Sequence, residues 1–362
     1  LFVRGNRADY DNWAQMGCTG WSYEDCLPHF KAIESYAPGD DEHRGKTGPL
    51  RIEDYRTILP LTHRFVEAAQ EAGFALTKDL SGAQQEGVGY SQMSRNGRFR
   101  GSTARTFLAE AKYRDNLKVE TNALASRLLF DGKRCVGVAF NQKGEDRILR
   151  AAREVIVSGG TINSPHLLQI SGLGPAEHLR SIGVEVVHDL PGVGANLRDH
   201  YATRISYRVK DLVSINEYAR PPRLLAEIAK WMTTGNGALT FGISSAQIFA
   251  RSREGLASPD IQLLFSPASY DEQKFGTLEK KPGATCAVSI ARPDSHGTIM
   301  ATSPLSSDRP SIRPNYLSAG RDMDVALAGG RHVRRVFAQP AIAAHVAHEI
   351  TPGEKIEPEQ DL

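Results

Sequence analysis

Residues 155–174 carry the pattern most able to bind a ligand. An apolar run at 155–157 (Val-Ile-Val) is followed by a glycine doublet at 159–160 and by apolar residues at helical spacing as far as Gly172. Such a run predicts a buried strand of a parallel sheet, and Ser164 before a proline predicts the start of a helix. A strand that turns through glycines into a helix directs amide donors at a ligand, which suits a dinucleotide phosphate or ribose. A tight turn that serves packing alone fits the same residues equally well.

Two groups of histidines could be drawn as catalytic or metal-binding residues. His345, His348 and Glu349 have the spacing of neighbours on one helix face. No further cluster of ligands accompanies them, so the sequence favours a solvated helix end and predicts no metal site. Asp199 before His200 could present a histidine held by a carboxylate as a general base, and the alternative is a structural loop.

Charge and composition favour a small-molecule ligand. The 362 residues are 40% hydrophobic and 24% charged, which is typical of an ordinary globular protein. The 44 Lys and Arg against 42 Asp and Glu leave a formal net charge of +2. This charge is too small for the electrostatic footprint of a nucleic-acid binder or an anionic-membrane binder. No apolar run approaches the roughly 18 residues of a membrane helix, so membrane association is not indicated.

The four cysteines indicate a reducing compartment. They are scattered through the chain and form no CxxC pair, which argues against a disulfide framework and a zinc site. We therefore expect the protein in the cytoplasm. The sequence begins with Leu1 rather than Met, and it leaves open a signal segment before that residue.

The elements that position these residues follow from the hydropathy pattern. Helices are predicted at 24–34, with Ser22 as the amino-terminal cap, and at 59–72, 221–231 and 322–337. A β-meander is predicted from strands at 117–120, 125–130, 135–140 and 146–151. A second, mainly antiparallel sheet is predicted from strands at 204–209, 246–250, 261–265, 284–291 and 297–302.

Residues 160–174 read GTINSPHLLQISGLG, and this segment resembles the second signature of the glucose-methanol-choline (GMC) oxidoreductases at every constrained position. Further segments that resemble the family run along most of the chain, at 4–13, 101–105 (GSTAR), 189–200 and 314–317 (PNYL). The chain is therefore identified as a member of this family, similar to its choline-dehydrogenase-like alcohol dehydrogenases. The resemblance also places His200 in a structural loop.

The resemblance implies a fold and an activity. The implied fold class is α/β, or α+β overall, with an FAD-binding domain of the glutathione-reductase type and an antiparallel-sheet substrate domain with flanking helices. The implied boundaries are 1–200 for the first domain, with a lid and helical insert at about 20–95, and 201–362 for the second. The implied reaction oxidises the CH–OH group of a primary or secondary alcohol by hydride transfer to N5 of FAD. Oxygen, a quinone or another electron acceptor remains open.

Two parts of the family pattern do not occur in this sequence. The family opens with a GxGxxG unit for the ADP part of FAD, and it places a His and a second His or Asn beside the flavin near its carboxyl end. Neither is present, so we expect a chain truncated at both ends, without a catalytic residue of its own and inactive alone. Two alternatives stay open: a non-catalytic truncated product without flavin, and a family lyase without net redox chemistry.

The candidate cofactor contacts are Ala125, Gly159 and Gly160. By resemblance, Ala125 occupies a position where the family usually has a Val that contacts the adenine side of FAD through its main chain. The two glycines precede the signature helix. The alternative for Ala125 is a small residue of the β-meander.

A substrate pocket is expected on the second sheet. Its aromatic residues Phe241, Phe249, Phe265 and Tyr270 are candidates to line it. The alternative is that these side chains belong to the hydrophobic core, where aromatic residues on strands commonly pack.

Overall fold

The computed structural model describes residues 1–242, 244–271, 273–274 and 276–353. The helices are α1 (Arg7–Gln15), α2 (Tyr23–Ile33), α3 (Pro60–Glu71), α4 (Phe107–Ala111), α5 (Gly160–Ile170), α6 (Ala176–Ser181), α7 (Ile215–Tyr218), α8 (Arg223–Thr234), α9 (Gly320–Phe337) and α10 (Pro340–Ala343), with a 3-10 turn at Ala238–Thr240. The strands are β1 (Glu34–Ser35), β2 (Leu50–Asp54), β3 (Gly87–Tyr90), β4 (Gln92–Asn96), β5 (Phe99–Arg100), β6 (Ala123–Asp131), β7 (Arg134–Gln142), β8 (Glu145–Arg150), β9 (Leu173–Gly174), β10 (His188–Asp189), β11 (Ala202–Val209), β12 (Ala246–Ala250), β13 (Ile261–Ser266), β14 (Gly283–Ile290), β15 (Thr298–Met300), β16 (Ser311–Arg313) and β17 (Val346–Thr351).

The described chain divides into two units by its internal contacts. Unit 1 comprises residues 1–114, 200–292 and the described residues from 323 onward, and unit 2 comprises residues 115–199 and 293–322. The helical insert predicted at about 20–95 therefore lies in the same unit as the larger sheet. The domains predicted at 1–200 and 201–362 are defined by cofactor and substrate binding, and they remain a prediction.

Unit 1 is built on a six-stranded sheet with the order β17-β11-β14-β13-β12-β3 and antiparallel neighbours throughout. Ile248 lies opposite Leu263, which in turn lies opposite Val288. Because side chains alternate between the faces of a sheet, Gln247 and Gln262 lie on the other face. The predicted antiparallel sheet is confirmed for its strands at 204–209, 246–250, 261–265 and 284–291, with one apolar face and one that carries polar residues. The strand predicted at 297–302 does not belong to it, because β15 pairs only with β16 in a separate hairpin among the described residues.

Aromatic stacking joins the apolar face of this sheet to helices α3 and α9. Phe65 of α3 stacks on Phe265 of β13 with ring centroids 4.1 Å apart. Phe337 of α9 stacks on Tyr207 of β11 at 3.9 Å. Both helices were predicted from their apolar spacing, and burial of their apolar stripes on the sheet is the reason they form here.

A buried charge network fixes the loop between β1 and β2. Arg44 in that loop bonds Glu34 of β1 and Asp79, while Arg4 Nη2 lies 2.5 Å from Glu34 Oε1. Each arginine is at least 90% buried, so the charges are satisfied by one another rather than by water.

Unit 2 contains a three-stranded meander in the order β6-β7-β8. The turn residues Gly132 and Gly144 have φ values of 55° and 88°, a left-handed conformation that suits the tight turns between these strands. The predicted first strand at 117–120 is wrong, because these residues have no strand partner among the described residues and residues 117–119 are exposed.

The predicted parallel strand at 155–157 is also wrong. These residues pair with no strand of the described chain, and the Ile156 side chain is 76% exposed. A strand is stable only when a neighbour accepts and donates its backbone hydrogen bonds. The apolar residues therefore led to a prediction of burial, whereas no strand of the described chain pairs with them.

Gln169 links helix α5 to the β15–β16 hairpin in unit 2. Its Nε2 donates to the Ile299 carbonyl at 2.9 Å, and its Oε1 accepts from the Ala301 amide at 2.7 Å. The side chain is fully buried. Helix α5 and the segment of β15 are thus held together by a single satisfied amide group.

Candidate functional site

The amino end of helix α5 is the best candidate for a ligand contact. Gly159 is its cap residue and no side chain caps the helix. Gly160 has φ +79°, and both glycines are exposed. The first amides of a helix have no internal partner, and no acidic side chain lies in the first turn of α5. This end of the helix therefore presents amide donors and a partial positive charge to a ligand.

The helix begins earlier than the sequence predicts. Ser164 was expected as its cap, but the structure places Ser164 and Pro165 inside α5. The positive φ of Gly160, a conformation open to glycine, lets the chain enter the helix directly after the doublet. The predicted end is confirmed, because Gly172 has φ +91° two residues after Ile170.

Ala125 lies in the same unit, on a strand that contacts α5. It is half-buried in β6, next to a register shift between Ala125 and Arg127 in the pairing with β7. The Leu128 amide donates to Ser171 Oγ at 2.9 Å, which ties β6 to the carboxyl end of α5. The roles of Ala125, Gly159 and Gly160 in cofactor binding remain predictions, and the structure places them on adjacent elements.

These residues fit a main-chain contact with FAD. A Cβ atom built on Gly160 would meet no heavy atom within 4 Å, so there is room in front of the helix end. The donors available are backbone amides, which suit a phosphate, a ribose hydroxyl or a ring oxygen of the cofactor. Gly159 and Gly160, with the main chain of Ala125, are the residues that would hold it.

Two of the segments that resemble the family meet in unit 2. Tyr316 Oη donates to Asp199 Oδ2 at 2.5 Å. This hydrogen bond to the carboxylate raises the pKa of the Tyr316 phenol. Asn315 and Leu317 on either side have φ values of 58° and 56°, a strained conformation for a leucine. Asp199 is thus engaged with the phenol of Tyr316.

The residues near 345–349 form a strand and not a helix end. His348 and Glu349 lie in β17, which pairs with β11. Glu349 accepts hydrogen bonds from Arg334 Nη2 at 2.8 Å and from Tyr207 Oη at 3.3 Å. In a strand, neighbours in sequence point to opposite faces, so the helical spacing read from the sequence does not bring these side chains together. Across the part of the chain that the structure describes, three or more His, Cys, Asp or Glu side chains nowhere converge into a metal cluster.

The four aromatic candidates for the substrate pocket separate in the structure. Phe265 is fully buried on the apolar face of the sheet, so its assignment to a pocket is wrong and the core alternative is correct. Phe249 lies on the opposite face, because its neighbour Ile248 shares a face with the partner strand's Leu263. Tyr270 lies beneath the guanidinium of Arg204, with 5.8 Å between Cζ and the ring centroid. Phe241 makes an edge contact with Tyr218.

Sequence reasoning missed the polar residues on the second face of the sheet. Gln262 Nε2 donates to Gln247 Oε1 at 2.7 Å, and Gln247 is fully buried. Gln247 Nε2 has no hydrogen-bond partner among the described residues. Ser289 lies opposite Gln262 on β14. The signal in β13 was weak, because Gln262 is followed on the same face by the apolar Leu264 and the period of two expected for a strand with unlike faces is broken.

Two domain models of the GMC oxidoreductase family match the chain, one over residues 1–202 and one over residues 293–361. The chain is 37% identical over 365 residues to the mitochondrial choline dehydrogenase of Homo sapiens, covering all of this chain and 61% of the relative. It is 40% identical over 372 residues to an oxygen-dependent choline dehydrogenase of Pseudomonas putida (strain GB-1), covering all of this chain and 65% of the relative. The chain therefore spans less than two thirds of the length of these relatives.

Solved structures share the fold. A pyridoxine 4-oxidase from Mesorbium loti superposes with a TM-score of 0.86 at 24% identity, over 99% of this chain and 67% of that one. A formate oxidase superposes with a TM-score of 0.88 at 22% identity, over 97% of this chain and 67% of that one. Likeness at these identities shows the fold, and it confirms the fold class predicted from the sequence.

The family match covers both regions that carried the resemblance. The amino-terminal match includes the signature helix α5 and its glycines, and the carboxyl-terminal match includes the segment of Tyr316. The chain belongs to the GMC oxidoreductase family, and FAD is the cofactor of that family, as the sequence resemblance predicted.

Proposed function

We propose that the protein containing this chain oxidises the CH–OH group of choline, or of an alcohol close to it in size and charge. The single observation that carries the proposal is the match of the whole chain to choline dehydrogenases at 37 to 40% identity. The exposed amino end of α5, with Gly159 and Gly160, supports it by offering a place for the cofactor.

Bound FAD would accept the hydride that leaves the alcohol carbon. The chain's own contribution is to hold the cofactor through main-chain amides at Gly159 and Gly160 and to present the strand that carries Ala125. None of the described residues is assigned a proton transfer. The proposal leaves the electron acceptor open between oxygen, a quinone and another carrier.

The experiment uses the full-length protein that contains this chain and has two stages, and the first measures flavin in the purified protein. A two-banded absorbance spectrum in the near-ultraviolet and visible range, with FAD identified after its release, is the expected result. A folded but colourless chain would favour the alternative of a non-catalytic product without flavin.

The second stage measures dye reduction by choline with the flavin-loaded protein. Glycine betaine, which has no CH–OH group, is the control that must stay inactive. The uncharged carbon analogue of choline tests whether the positive charge matters, and we expect slower reduction with it. Flavin that stays oxidised while the alcohol is cleaved would favour the lyase alternative and contradict the proposal.

We also propose a cytoplasmic location. The cysteines Cys18, Cys26, Cys135 and Cys286 are all free thiols in the structure, which suits a reducing compartment. Labelling by a membrane-permeant thiol reagent, and not by an impermeant one, is expected in intact cells. The exposed Cys18 is the site to follow, and labelling by the impermeant reagent would contradict this location.

A further inference from the structure

The sequence contains two Asn-Gly pairs, and the fold gives them different surroundings. Asn96 precedes Gly97 at the end of β4, and Asn236 precedes Gly237 just beyond α8. In such a pair the glycine nitrogen can attack the side-chain carbonyl carbon of the asparagine, because glycine has no Cβ to hinder a close approach. The residue types are the same in both pairs, so a difference in reactivity must come from the fold.

The side-chain oxygen of Asn236 faces two guanidinium groups. Arg95 Nη2 donates to Asn236 Oδ1 at 3.2 Å, and Arg56 Nη1 donates to the same oxygen at 3.4 Å. Arg95 is only 3% exposed, so this donor is fixed in place before any reaction. Cationic donors held against a carbonyl oxygen stabilise the negative charge that grows on the oxygen when its carbon is attacked.

The backbone nitrogen of Gly237 is available for the attack. The amides on either side of it are engaged. The Asn236 amide donates to Thr234 Oγ1 at 3.1 Å, and the Ala238 amide donates to Glu227 Oε2 at 2.5 Å. The amide of Gly237 between them donates no hydrogen bond to any of the described residues. Attack by this nitrogen therefore breaks no hydrogen bond in the described chain.

Arg95 is a buried cation without a carboxylate partner among the described residues. Its Nε donates to the Gly97 carbonyl at 2.6 Å, and its Nη2 donates to the Gly235 carbonyl as well as to Asn236. Its Nη1 is buried and has no hydrogen-bond partner in the described chain. Burial and the positive charge of Arg56 lower the pKa of Arg95 below its ordinary value. A carboxylate at position 236 would meet this cation directly, in the charge-assisted geometry that is strongest for arginine.

Asn96 has neither of these features. Its Nδ2 donates to the Arg105 carbonyl at 3.0 Å, and no guanidinium of the described residues donates to its side-chain oxygen. A carboxylate at position 96 would turn an oxygen toward that carbonyl oxygen and lose the bond. Asn236 also has one such bond, from Nδ2 to the Thr234 carbonyl at 3.2 Å, but this bond is exposed and water can replace it.

We propose that Asn236 is a site of spontaneous deamidation, in which its side-chain amide becomes a carboxylate bound by Arg95. The Gly237 nitrogen forms a bond to Asn236 Cγ, and the bond between Cγ and Nδ2 breaks. The leaving NH2 group takes the proton of the Gly237 amide and departs as ammonia, which leaves a cyclic imide. Water then opens the imide, at Cγ to give aspartate or at the main-chain carbonyl to give isoaspartate. The reaction consumes one water and needs no oxidant or reductant.

Peptide mass spectrometry of the full-length protein that contains this chain tests the proposal. After incubation in mildly alkaline buffer, the deamidated fraction at Asn236 is expected to exceed that at Asn96 by about fivefold or more, because fixed donors to an oxyanion accelerate its formation. In concentrated urea the two sites should react at similar rates, since unfolding removes the difference between them. Equal conversion in the folded protein, or an Asn236 that stays intact there, would overturn the proposal.

A variant of Arg56 tests the role of the guanidinium groups without a buried substitution. Arg56 pairs with Glu53 and Arg64 pairs with Glu67, each three residues apart, and the two arginine side chains are 46% and 47% exposed. Arg56→Gln should slow conversion at Asn236 by about threefold, because one donor to the oxyanion is lost. The matched control Arg64→Gln should leave the rate at the wild-type value. Equal rates in the two variants would contradict activation by Arg56.

The product can be tested with variants that carry aspartate from the start. The midpoint of urea unfolding should rise in Asn236→Asp and fall in Asn96→Asp. In the background of Arg95→Gln, the rise from Asn236→Asp should disappear. A rise that persists without Arg95, or a fall in Asn236→Asp, would show that Arg95 does not bind the carboxylate. These measurements do not depend on flavin or substrate, so the inference stands or fails apart from the proposed function.

Discussion

Arg44 Nε lies 2.7 Å from Glu34 Oε1, and both side chains are completely buried. Burial opposes the charge of Arg44, but its hydrogen bonds and the charges of Glu34 and Asp79 prevail and raise its pKa above the ordinary value. Gln92 Oε1 accepts a further bond from Arg44 at 3.0 Å. The loop between β1 and β2 is therefore tied to residues far from it in sequence by one ionised side chain.

Removal of the Glu34 charge should destabilise unit 1 strongly. In Glu34→Gln, the buried Arg4 and Arg44 lose their shared carboxylate, and breaking such a pair costs about 3 to 5 kcal/mol. Chemical denaturation with circular dichroism measures this. Glu67→Gln is the matched control, because its ion pair with Arg64 is about half exposed and such pairs contribute less than about 1 kcal/mol. Equal losses in the two variants would contradict the role assigned to the network.

The neighbouring glycines of α9 should respond in opposite directions to alanine. A Cβ on Gly329 would lie 2.2 Å from Val288 Cγ1, whereas a Cβ on Gly330 would have Ile205 Cδ1 at 3.9 Å as its nearest neighbour. Gly329→Ala should cost about 1 to 3 kcal/mol through overpacking. Gly330→Ala should gain about 0.5 to 1 kcal/mol through helix propensity. Thermal unfolding of the pair decides the matter, and a stabilising Gly329→Ala would show that α9 does not approach β14 so closely.

His166 should make stability depend on pH. Its side chain is 7% exposed, and its Nε2 has no partner among the described residues. Burial lowers its pKa below 6.5, and the charge of Asp308 opposes this only in part. The folded protein therefore binds the proton less tightly than the unfolded chain. Stability from this group is present above about pH 6.5 and is lost as the pH falls toward the lowered pKa.

The variant His166→Leu should remove that loss. The difference in unfolding free energy between variant and wild type should shift in favour of the variant from about pH 8 to about pH 5. Urea titrations at the two pH values measure it. The exposed His188 in the same unit provides the control variant His188→Leu, and a pH-independent difference for His166→Leu would refute the prediction.

Flavin content should distinguish two glycines that are alike in backbone strain. Gly160 and Gly144 have φ values of +79° and +88°, and a Cβ on either meets no atom within 4 Å. Alanine at each position should therefore cost a similar amount, on the order of 1 kcal/mol. Only Gly160→Ala is expected to lower the ratio of FAD to protein, since it alters the amides at the start of α5. A similar loss in Gly144→Ala would show that flavin loss reflects stability alone.

The sequence predicted those elements that are determined by residues close together in the chain, such as helix caps and turns. Ser22 was predicted as the cap of α2, and the structure shows it capping the helix in a reciprocal arrangement with Asp25. Strand β12 was placed with its observed bounds, Ala246–Ala250. The amino end of α5 was found as a ligand-contact candidate from its glycines, although the helix starts four residues before the expected cap.

Elements that depend on distant partners escaped prediction. Strand β3 contains Gly87 and Gly89, which are poor strand residues. It forms because β12 pairs with it, and a Cβ on Gly89 would lie 2.7 Å from the Thr77 carbonyl oxygen. The run at 155–157 failed for the opposite reason, since its residue types favour a strand that has no partner in the described chain.

The order of the large sheet has a consequence for the rate of folding. Its two outermost strands, β3 and β17, pair with β12 and β11, from which each is separated by more than one hundred residues of chain. Closing such loops costs conformational entropy before the contacts repay it. The strands between them include β12 and β13, which are joined by a short connection. We expect slow refolding in which the inner strands acquire protection from hydrogen exchange first and the two borders of the sheet acquire it last.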